Sequence, residues 1–193
     1  MKTSDIDILI IPGWNNSGPD HWQSRWEGKL ETARRVEQAD WDTPRASDWV
    51  GRIIEEVAMA SRPVLLVAHS LGVPAAVHAA DKLPPGMVAG AFLVSAPNLE
   101  GSEIWPAKHG GFWPMPMTQL PFPSVLVASS SDPYCELDRA RQFAAAWGAT
   151  LIEAGDTGHI NTASGHGPWP EGLMRFGGFL KHLGERRAQS GTA

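Results

Sequence analysis

Three polar residues that lie far apart in the chain are of the types that nucleophilic catalysis requires. They are Ser70, Asp132 and His159, in that order. Ser70 and Asp132 follow apolar runs with the character of buried strands, and His159 follows the short predicted strand 150–153 through a flexible loop, so each is expected beyond the carboxyl end of a strand. A serine hydroxyl beside an imidazole that a carboxylate orients can attack an acyl carbon. The sequence therefore predicts a catalytic triad made of these three residues.

The residues around Ser70 are typical of a sharp turn between a strand and a helix. An apolar run precedes the serine, and an alanine-rich stretch follows it. The small residues Ala68 and Gly72 flank it two positions away on each side, where larger side chains would collide in such a turn. Ala68 replaces the first glycine of the usual G-x-S-x-G pattern. A plain helix N-cap is the alternative interpretation, but the later Asp132 and His159 favour a nucleophile.

Two backbone amides are expected to face the negative charge that develops on the substrate oxygen. The first is the amide of Leu71, at the amino end of the helix that follows Ser70. The second should come from the loop after the first strand, residues 12–18, and we assign it to Trp14 by geometric analogy. The glycines of this loop would also suit a phosphate-binding loop, but neither Gly-Lys-Ser/Thr nor G-x-G-x-x-G is present.

The chain contains nine tryptophans, and several of them lie in segments expected above the ends of strands. Residues 95–123 form a long segment without a regular pattern, which together with these tryptophans suggests an apolar acyl pocket with a flexible lid. Packing of the same segments onto the core is an equally good interpretation. His69, next to the nucleophile, is either structural or part of the pocket wall. The candidate substrate-binding residues are Asn15, His69, Trp105, Trp113 and Trp169.

Apolar runs of strand length alternate with helical patterns along the chain. Strands are predicted at 6–11, 64–68, 88–94, 125–129 and 150–153, with a further short one at 35–38. Helices are predicted at 19–30, 47–60, 70–82, 138–147 and 171–183. This alternation predicts a three-layer α/β/α fold with a doubly wound, mostly parallel sheet of about six strands. One domain is expected over residues 1–184, followed by a polar, disordered tail at 185–193.

Composition and charge exclude several other classes of protein. A net charge of −5 and scattered basic residues argue against a nucleic-acid partner. No apolar run approaches the roughly 20 residues of a membrane span, and the first residues lack the features of a signal peptide, so a cytoplasmic protein is expected. The single cysteine, Cys135, fits a reducing compartment. No His or Cys spacing predicts a metal site, and no cofactor is expected, which leaves a small acyl substrate as the partner.

Four separated motifs carry a resemblance to a known family. They are Pro12–Gln23, Ala68–Gly72, Leu120–Ser124 with Ser131–Tyr134, and Gly158–Asn161 with Gly165–Pro170. The chain resembles the small serine hydrolases of the retinoblastoma-binding-protein-nine and bacterial YdeN type. The resemblance implies a minimal α/β-hydrolase fold without a cap domain. It also implies that Ser70 is the nucleophile, Asp132 the orienting acid and His159 the general base.

The function expected from these observations is that of a serine hydrolase that cleaves small acyl esters through an acyl-enzyme. Two alternatives stay open: a binding protein that keeps the fold, and an amidase or peptidase with the same triad. A binding protein has no physical need of an exposed, strained serine. An amidase must deliver a proton to an amine, and a peptidase often has a charged specificity group, for which the sequence offers no evident candidate.

Overall fold

The computed structural model describes residues 1–190, in which six strands form one sheet whose neighbouring strands are all parallel. The strands are β1 (Asp7–Ile11), β2 (Ala33–Arg35), β3 (Val64–His69), β4 (Val88–Val94), β5 (Ser124–Ala128) and β6 (Thr150–Glu153). Their order is β2-β1-β3-β4-β5-β6, so the winding direction reverses between β1 and β3. A crevice opens at such a point, beyond the carboxyl ends of the strands. The predicted doubly wound parallel sheet is confirmed.

Helices cover both faces of the sheet. They are α1 (Trp22–Glu27), α2 (Ala46–Ala58), α3 (Gly72–Ala79), α4 (Trp105–Lys108), α5 (Leu137–Trp147) and α6 (Pro170–Ser190). Helices α2, α3 and α5 pack on one face, and α1 and α6 pack on the other. Alternate strand residues point to opposite faces, so Leu9 of β1 joins the first core and Ile8 the second. Burial on both faces explains the unbroken apolar runs of the central strands.

Helix α1 spans Trp22–Glu27 instead of 19–30 and α3 spans Gly72–Ala79 instead of 70–82, and three further elements differ from the expectations drawn from sequence. β2 spans Ala33–Arg35 instead of 35–38, because an edge strand of three residues is too short for an alternating pattern to mark it. Helix α4 was missed within the long segment between β4 and β5, since a four-residue helix has no measurable periodicity. Helix α6 continues to Ser190, so residues 185–190 are helical rather than disordered, while residues 191–193 lie outside the described part of the chain. Polar residues with good helix propensity prolong a helix without a burial pattern.

The long segment between β4 and β5 rests on the helices of the first core. Several of its apolar side chains are buried, namely Leu99, Phe112, Met115 and Leu120. The amide of Ala46 donates to the carbonyl of Gly110 (2.7 Å), and the indole N–H of Trp147 donates to the carbonyl of Pro116 (2.8 Å). These contacts leave the first part of the segment, residues 97–106, beside the carboxyl ends of the strands. Within residues 1–190, no helix is both long and apolar enough to cross a membrane.

Candidate active site

Ser70 lies in a strained turn directly after β3. Its φ of +52° falls in the left-handed region, which residues other than glycine rarely adopt. Two glycines make the turn possible by leaving no side chain in its way. A Cβ on Gly72 would lie 2.3 Å from the carbonyl oxygen of Ile11, and a Cβ on Gly13 would lie 2.7 Å from the Cβ of Ser70. The turn places Ser70 in the crevice beyond the strand ends, where it lines a pocket.

Ser70, His159 and Asp132 form a continuous hydrogen-bonded chain. The hydroxyl oxygen of Ser70 lies 2.9 Å from Nε2 of His159, and Nδ1 of His159 lies 2.9 Å from both carboxylate oxygens of Asp132. An ionised carboxylate can only accept, so Nδ1 carries a proton and Nε2 is left to accept from the serine. Only 8% of the His159 side chain and 3% of the Asp132 side chain are exposed. This arrangement can move a proton from the hydroxyl to the imidazole, as acyl transfer requires.

The loop that carries His159 is held by serines that follow β5. We call residues 154–161 the histidine loop. The hydroxyl of Ser129 accepts from the amide of Thr157 (3.1 Å), and the hydroxyl of Ser131 accepts from the amide of Gly158 (3.0 Å). Ser129 is 1% exposed, so its hydrogen bonds are shielded from water. The two serines therefore attach the loop that carries the imidazole to the turn that carries Asp132.

The loop after β1 is held from behind by Arg35. We call residues 12–18 the first-strand loop. Nη1 of Arg35 donates to Oδ1 of Asn16 (2.6 Å) and to the carbonyl of Ser17 (2.9 Å). The other N–H groups of Arg35 donate to Glu27 and Ser24. All five donors of the guanidinium are thus engaged, and only 10% of the side chain is exposed. Arg35 therefore holds a loop in which Asn15 and Asn16 both have positive φ, of +64° and +66°.

Gln23 of α1 ties the first-strand loop to the sheet. Its side chain is fully buried, and Nε2 donates to the carbonyls of Ile11 and Val67 at 3.1 Å each. Its Oε1 accepts from the hydroxyl of Ser17 at 2.7 Å. The loop is consequently fixed to both strands that border the crevice.

Leu71 and Trp14, whose amides are expected to face the oxyanion, both line the pocket beside Ser70. Neither N–H group has a hydrogen-bond partner within residues 1–190. Leu71 is also the N-cap of α3. Two unpaired amides beside a serine hydroxyl can bind an oxygen atom that carries negative charge.

Two buried histidines lie behind the triad. Nε2 of His69 lies 2.9 Å from the carbonyl oxygen of His159, so this nitrogen carries a proton. Burial lowers the pKa of His69 well below its usual value. Burial, followed by the nearby charges of Arg35 and His159, lowers the pKa of His21 to about 4. Both rings are therefore neutral near pH 7, and His69 holds the backbone of His159 without adding a charge beside it.

A pocket of about 390 Å³ opens beside Ser70. The first-strand loop, the residues just before and within α4, and the turn after Asp132 form its walls. Its apolar wall residues are Trp14, Leu71, Pro97, Leu99, Ile104, Pro106 and Tyr134. Apart from histidines, its polar wall residues are neutral, so within the described residues no Asp, Glu, Lys or Arg lines the pocket. The expected substrate-binding residues Asn15 and His69 are part of this wall.

Three tryptophans that were expected in the pocket do not line it. Trp169 is 4% exposed and stacks on Trp26 in the core between the sheet and α6. Trp113 packs against the opposite core, and the indole of Trp105 donates to the carbonyl of Pro44, away from the pocket. Burial of its apolar surface stabilises a large aromatic side chain in a loop, and these three side chains bury theirs by packing outside the crevice. The prediction of these three residues as pocket residues is wrong.

Several site residues were not identified from sequence. The ring of Tyr134 lies 4.5 Å from the ring of His159, and the amide of Tyr134 donates to Asp132 (3.0 Å). Its position two residues after the candidate acid was the available signal. For Arg35 the signal in the sequence was weaker, namely a charged residue within a predicted strand.

Among residues 1–190, no group of three His, Cys, Asp or Glu side chains is placed to hold a metal ion.

Comparison with known proteins shows relatives that match most of the chain. A family model described as serine hydrolase matches residues 8–177. A structure from Pectobacterium atrosepticum described as a YdeN-like hydrolase matches with a TM-score of 0.83 and 31% identity, and the match covers 94% of each chain. The ydeN gene product of B. subtilis matches with a TM-score of 0.71 and 20% identity over 91% of this chain and 98% of that one.

More distant structures share the fold alone. Esterase 2 of Thermogutta terrifontis matches with a TM-score of 0.65 at 15% identity, over 95% of this chain and 86% of the esterase. Among curated protein sequences, no significant match is found.

Proposed function

The chain belongs to the serine hydrolase family, as a small member of the YdeN type, and we propose that it hydrolyses small carboxylic esters through an acyl-enzyme on Ser70. The observation that carries the proposal is the hydrogen-bonded chain from Ser70 through His159 to Asp132. Catalysis would explain a strained turn at a serine with a buried imidazole and a buried carboxylate behind it, whereas no structural role for the arrangement is evident.

The proposed reaction has two halves. In the first, the hydroxyl oxygen of Ser70 attacks the ester carbon while its proton passes to Nε2 of His159. Asp132, with both oxygens 2.9 Å from Nδ1, stabilises the imidazolium that forms. The imidazolium then protonates the departing alkoxide, and the alcohol leaves. In the second half, the same imidazole deprotonates a water molecule that attacks the acyl-enzyme, which releases the carboxylic acid and restores the serine.

The amides of Leu71 and Trp14 are proposed to bind the oxyanion. Both residues line the pocket next to Ser70, and neither amide has a hydrogen-bond partner within residues 1–190. Because the backbone already holds them in place, they cost no reorganisation when charge develops on the carbonyl oxygen. The first-strand loop and the start of α3 thus supply one donor each.

The pocket wall favours a small, uncharged acyl substrate. Apolar side chains from residues 97–106 and Tyr134 offer contact area, while no Asp, Glu, Lys or Arg among the described residues lines the pocket to pair with a charged group. A peptidase or amidase that selects a charged side chain would need such a partner. A volume of about 390 Å³ lies near the lower end of the range for small-molecule pockets, which fits a small substrate.

The test is covalent labelling with a fluorophosphonate, followed by mass-spectrometric mapping of the modified residue. The same protein is assayed with p-nitrophenyl esters of increasing chain length and with the matching p-nitroanilides. Ser70→Ala and His159→Ala serve as the active-site variants. Ser130→Ala is the matched control, because Ser130 is an exposed serine at the end of β5 without an imidazole partner.

We expect labelling of Ser70 alone, lost in both active-site variants and kept in Ser130→Ala, with esters cleaved faster than anilides and short chains faster than long ones. Anilide cleavage at the ester rate would replace the esterase by an amidase. A folded protein that neither labels at Ser70 nor cleaves any ester would overturn the enzymatic proposal in favour of a binding role.

A further inference from the structure

A second cavity, of about 410 Å³, lies between α6 and the first residues of β5 and β6. We call it the α6 groove; its basic wall is formed by the cations Arg175 and Arg186 together with His182, and its floor by apolar side chains. Ser124, the first residue of β5, lines it, whereas Asp132 follows the last residue of the same strand. The α6 groove therefore opens at the amino edge of the sheet, and it shares no lining residue with the pocket beside Ser70.

The charge of the α6 groove is opposite to that of the whole chain. Arg175, His182 and Arg186 are spaced by seven and four residues on α6, so they lie on one side of the helix. No Asp or Glu is among the lining residues that the structure describes. The chain as a whole carries a net charge of −5. Cationic groups gathered at one concave place on an acidic protein attract a negatively charged group.

Arg175 is the cation best placed to bind such a group. Its side chain is half-buried at the wall of the groove, and it has no hydrogen bond or ion pair with any residue from 1 to 190. Arg35, with a comparably shielded guanidinium, has all five donors engaged. An unengaged guanidinium keeps the planar pair of donors that matches a carboxylate.

The floor of the α6 groove is apolar. Val125, Ile152 and Phe179 form it, and Val125 and Phe179 are at most 6% exposed overall. Gly178 lies at its wall without a Cβ, and a Cβ built there would meet no atom within 4 Å. The floor can therefore contact an alkyl chain while the wall holds a charged head group.

We propose that the α6 groove binds a small aliphatic carboxylate, with its carboxylate on Arg175 and its alkyl chain along the floor. A simple inorganic anion would leave the apolar floor uncovered, and a cation would be repelled by the wall. The inference stands on residues outside the active site and does not depend on the proposed esterase activity.

The experiment is isothermal titration calorimetry of the full chain with octanoate, with four comparison ligands that separate charge from chain. Octanol lacks the negative charge, and octylammonium carries a positive one. Acetate lacks the long alkyl chain, and inorganic phosphate is an anion without any alkyl chain. We expect saturable binding of octanoate and binding of each comparison ligand at least about tenfold weaker. Equal binding of octylammonium or octanol would overturn the role of the cations, and equal binding of phosphate would overturn the role of the floor.

Two pairs of variants locate the bound octanoate. Gly178→Leu fills the groove, and Gly177→Leu is its control, because Gly177 is an adjacent open glycine of α6 that does not line the groove. Arg175→Gln removes the charge at the wall, and Lys181→Gln removes an exposed charge elsewhere on α6. We expect octanoate affinity to fall about tenfold or more in the first member of each pair and to stay unchanged in the second.

As the product of an ester substrate, octanoate is also a candidate ligand of the pocket beside Ser70, and the variants separate the two places. Binding that survives in Gly178→Leu and Arg175→Gln, when both melt as cooperatively as the unmodified chain, would place the ligand outside the α6 groove and overturn the proposal. Retained ester hydrolysis in both variants is expected, since neither residue lines the active-site pocket.

Discussion

The two loops that border Ser70 are held by different kinds of interaction. The histidine loop is held by neutral hydroxyls, those of Ser129 and Ser131. The first-strand loop is held by a shielded guanidinium, that of Arg35, paired with Glu27. The loop that carries a proton-transferring imidazole therefore has an uncharged support, and the loop that offers only a backbone amide has a charged one.

The difference has an electrostatic reason. A cation next to His159 would oppose formation of the imidazolium, because like charges in a shielded site repel strongly. Arg35 lies behind the first-strand loop, where its charge meets Glu27 and backbone carbonyls. A backbone amide does not change its charge, so a nearby cation cannot impair it. The comparison leads to three predictions, given from the largest expected loss of kcat to the smallest. A fourth prediction concerns the stability of the fold in acid.

Asp132→Asn should reduce kcat for ester hydrolysis by about 10⁴-fold, because an amide in place of the carboxylate favours the wrong imidazole tautomer. The control is Asp156→Asn, which changes an exposed carboxylate of the histidine loop that bonds to Ser131. Steady-state kinetics with a p-nitrophenyl ester should show only a few-fold loss for the control. Similar losses in both variants would mean that the carboxylates act by holding the loop.

Arg35→Met should reduce kcat by about 10²-fold with a small change in KM, because the first-strand loop would no longer hold the Trp14 amide in place. Arg34→Met is the control on the same strand, since Arg34 pairs with Glu56 and does not contact the loop. The double variant Arg35→Met/Glu27→Leu removes the unpaired carboxylate as well. If the double variant melts at the temperature of the unmodified chain but keeps the low kcat, Arg35 acts by positioning the loop. If both the melting temperature and kcat recover, Arg35 has only a structural role.

Ser129→Ala should lower the free energy of unfolding by about 1 kcal/mol and kcat by roughly tenfold, because the amides of Ser131 and Thr157 lose their acceptor. The carbonyl of Gly155 loses one donor but keeps the amide of Ser130. Urea unfolding and kinetics measure the two effects. Ser130→Ala, at an exposed position in the same serine run, should change neither quantity. An unchanged kcat in Ser129→Ala would show that the neutral support is dispensable.

The buried His21 should make the fold sensitive to acid. Its pKa is about 4 in the folded state and 6.5 for an unperturbed histidine, as in the unfolded chain, so between these pH values the unfolded chain binds more protons and stability decreases as the pH falls. The stabilisation present above pH 6.5 and lost on descending to pH 4 amounts to about 3 kcal/mol. His21→Asn keeps an N-cap acceptor for Gln23.

Urea unfolding at several pH values should give a shallower slope between pH 4 and 6.5 for His21→Asn than for the unmodified chain. The slope should not vanish, because His69 is also buried with a lowered pKa. His182→Asn, at an exposed histidine of α6, should keep the full slope. The same slope in all three proteins would show that His21 is not the group that titrates.

Local patterns predicted five of the six strands closely and one edge strand, β2, poorly. β3 and β4 are buried on both faces, so their apolar runs mark them within a residue or so. β2 consists of Ala33–Arg35 at a sheet edge, where no run exists to read. The length of α6 also escaped prediction, since exposed polar residues prolong a helix without any burial signal.

The order of the candidate site residues along the chain carried more information than their immediate surroundings. Parallel strands bring their carboxyl ends to one edge of a sheet, so residues just after β3, β5 and β6 meet there whatever lies between them. No comparable rule predicts whether a loop side chain points into the pocket or into the core. Trp14 and Trp169 both occur in loops rich in glycine and proline, yet one lines the pocket and the other fills the core.

The sequence by itself determined the parallel sheet and the group of polar residues at one edge of it, because strand burial and chain order are local and topological properties. Only the tertiary structure decided that Arg35 and the serines behind the histidine loop support that group, and that the guanidinium of Arg175, at the opposite edge, is left unengaged among the described residues. Each depends on which side chains from distant segments come within hydrogen-bond distance. Such distances follow from the packing of the whole chain, which no local pattern contains.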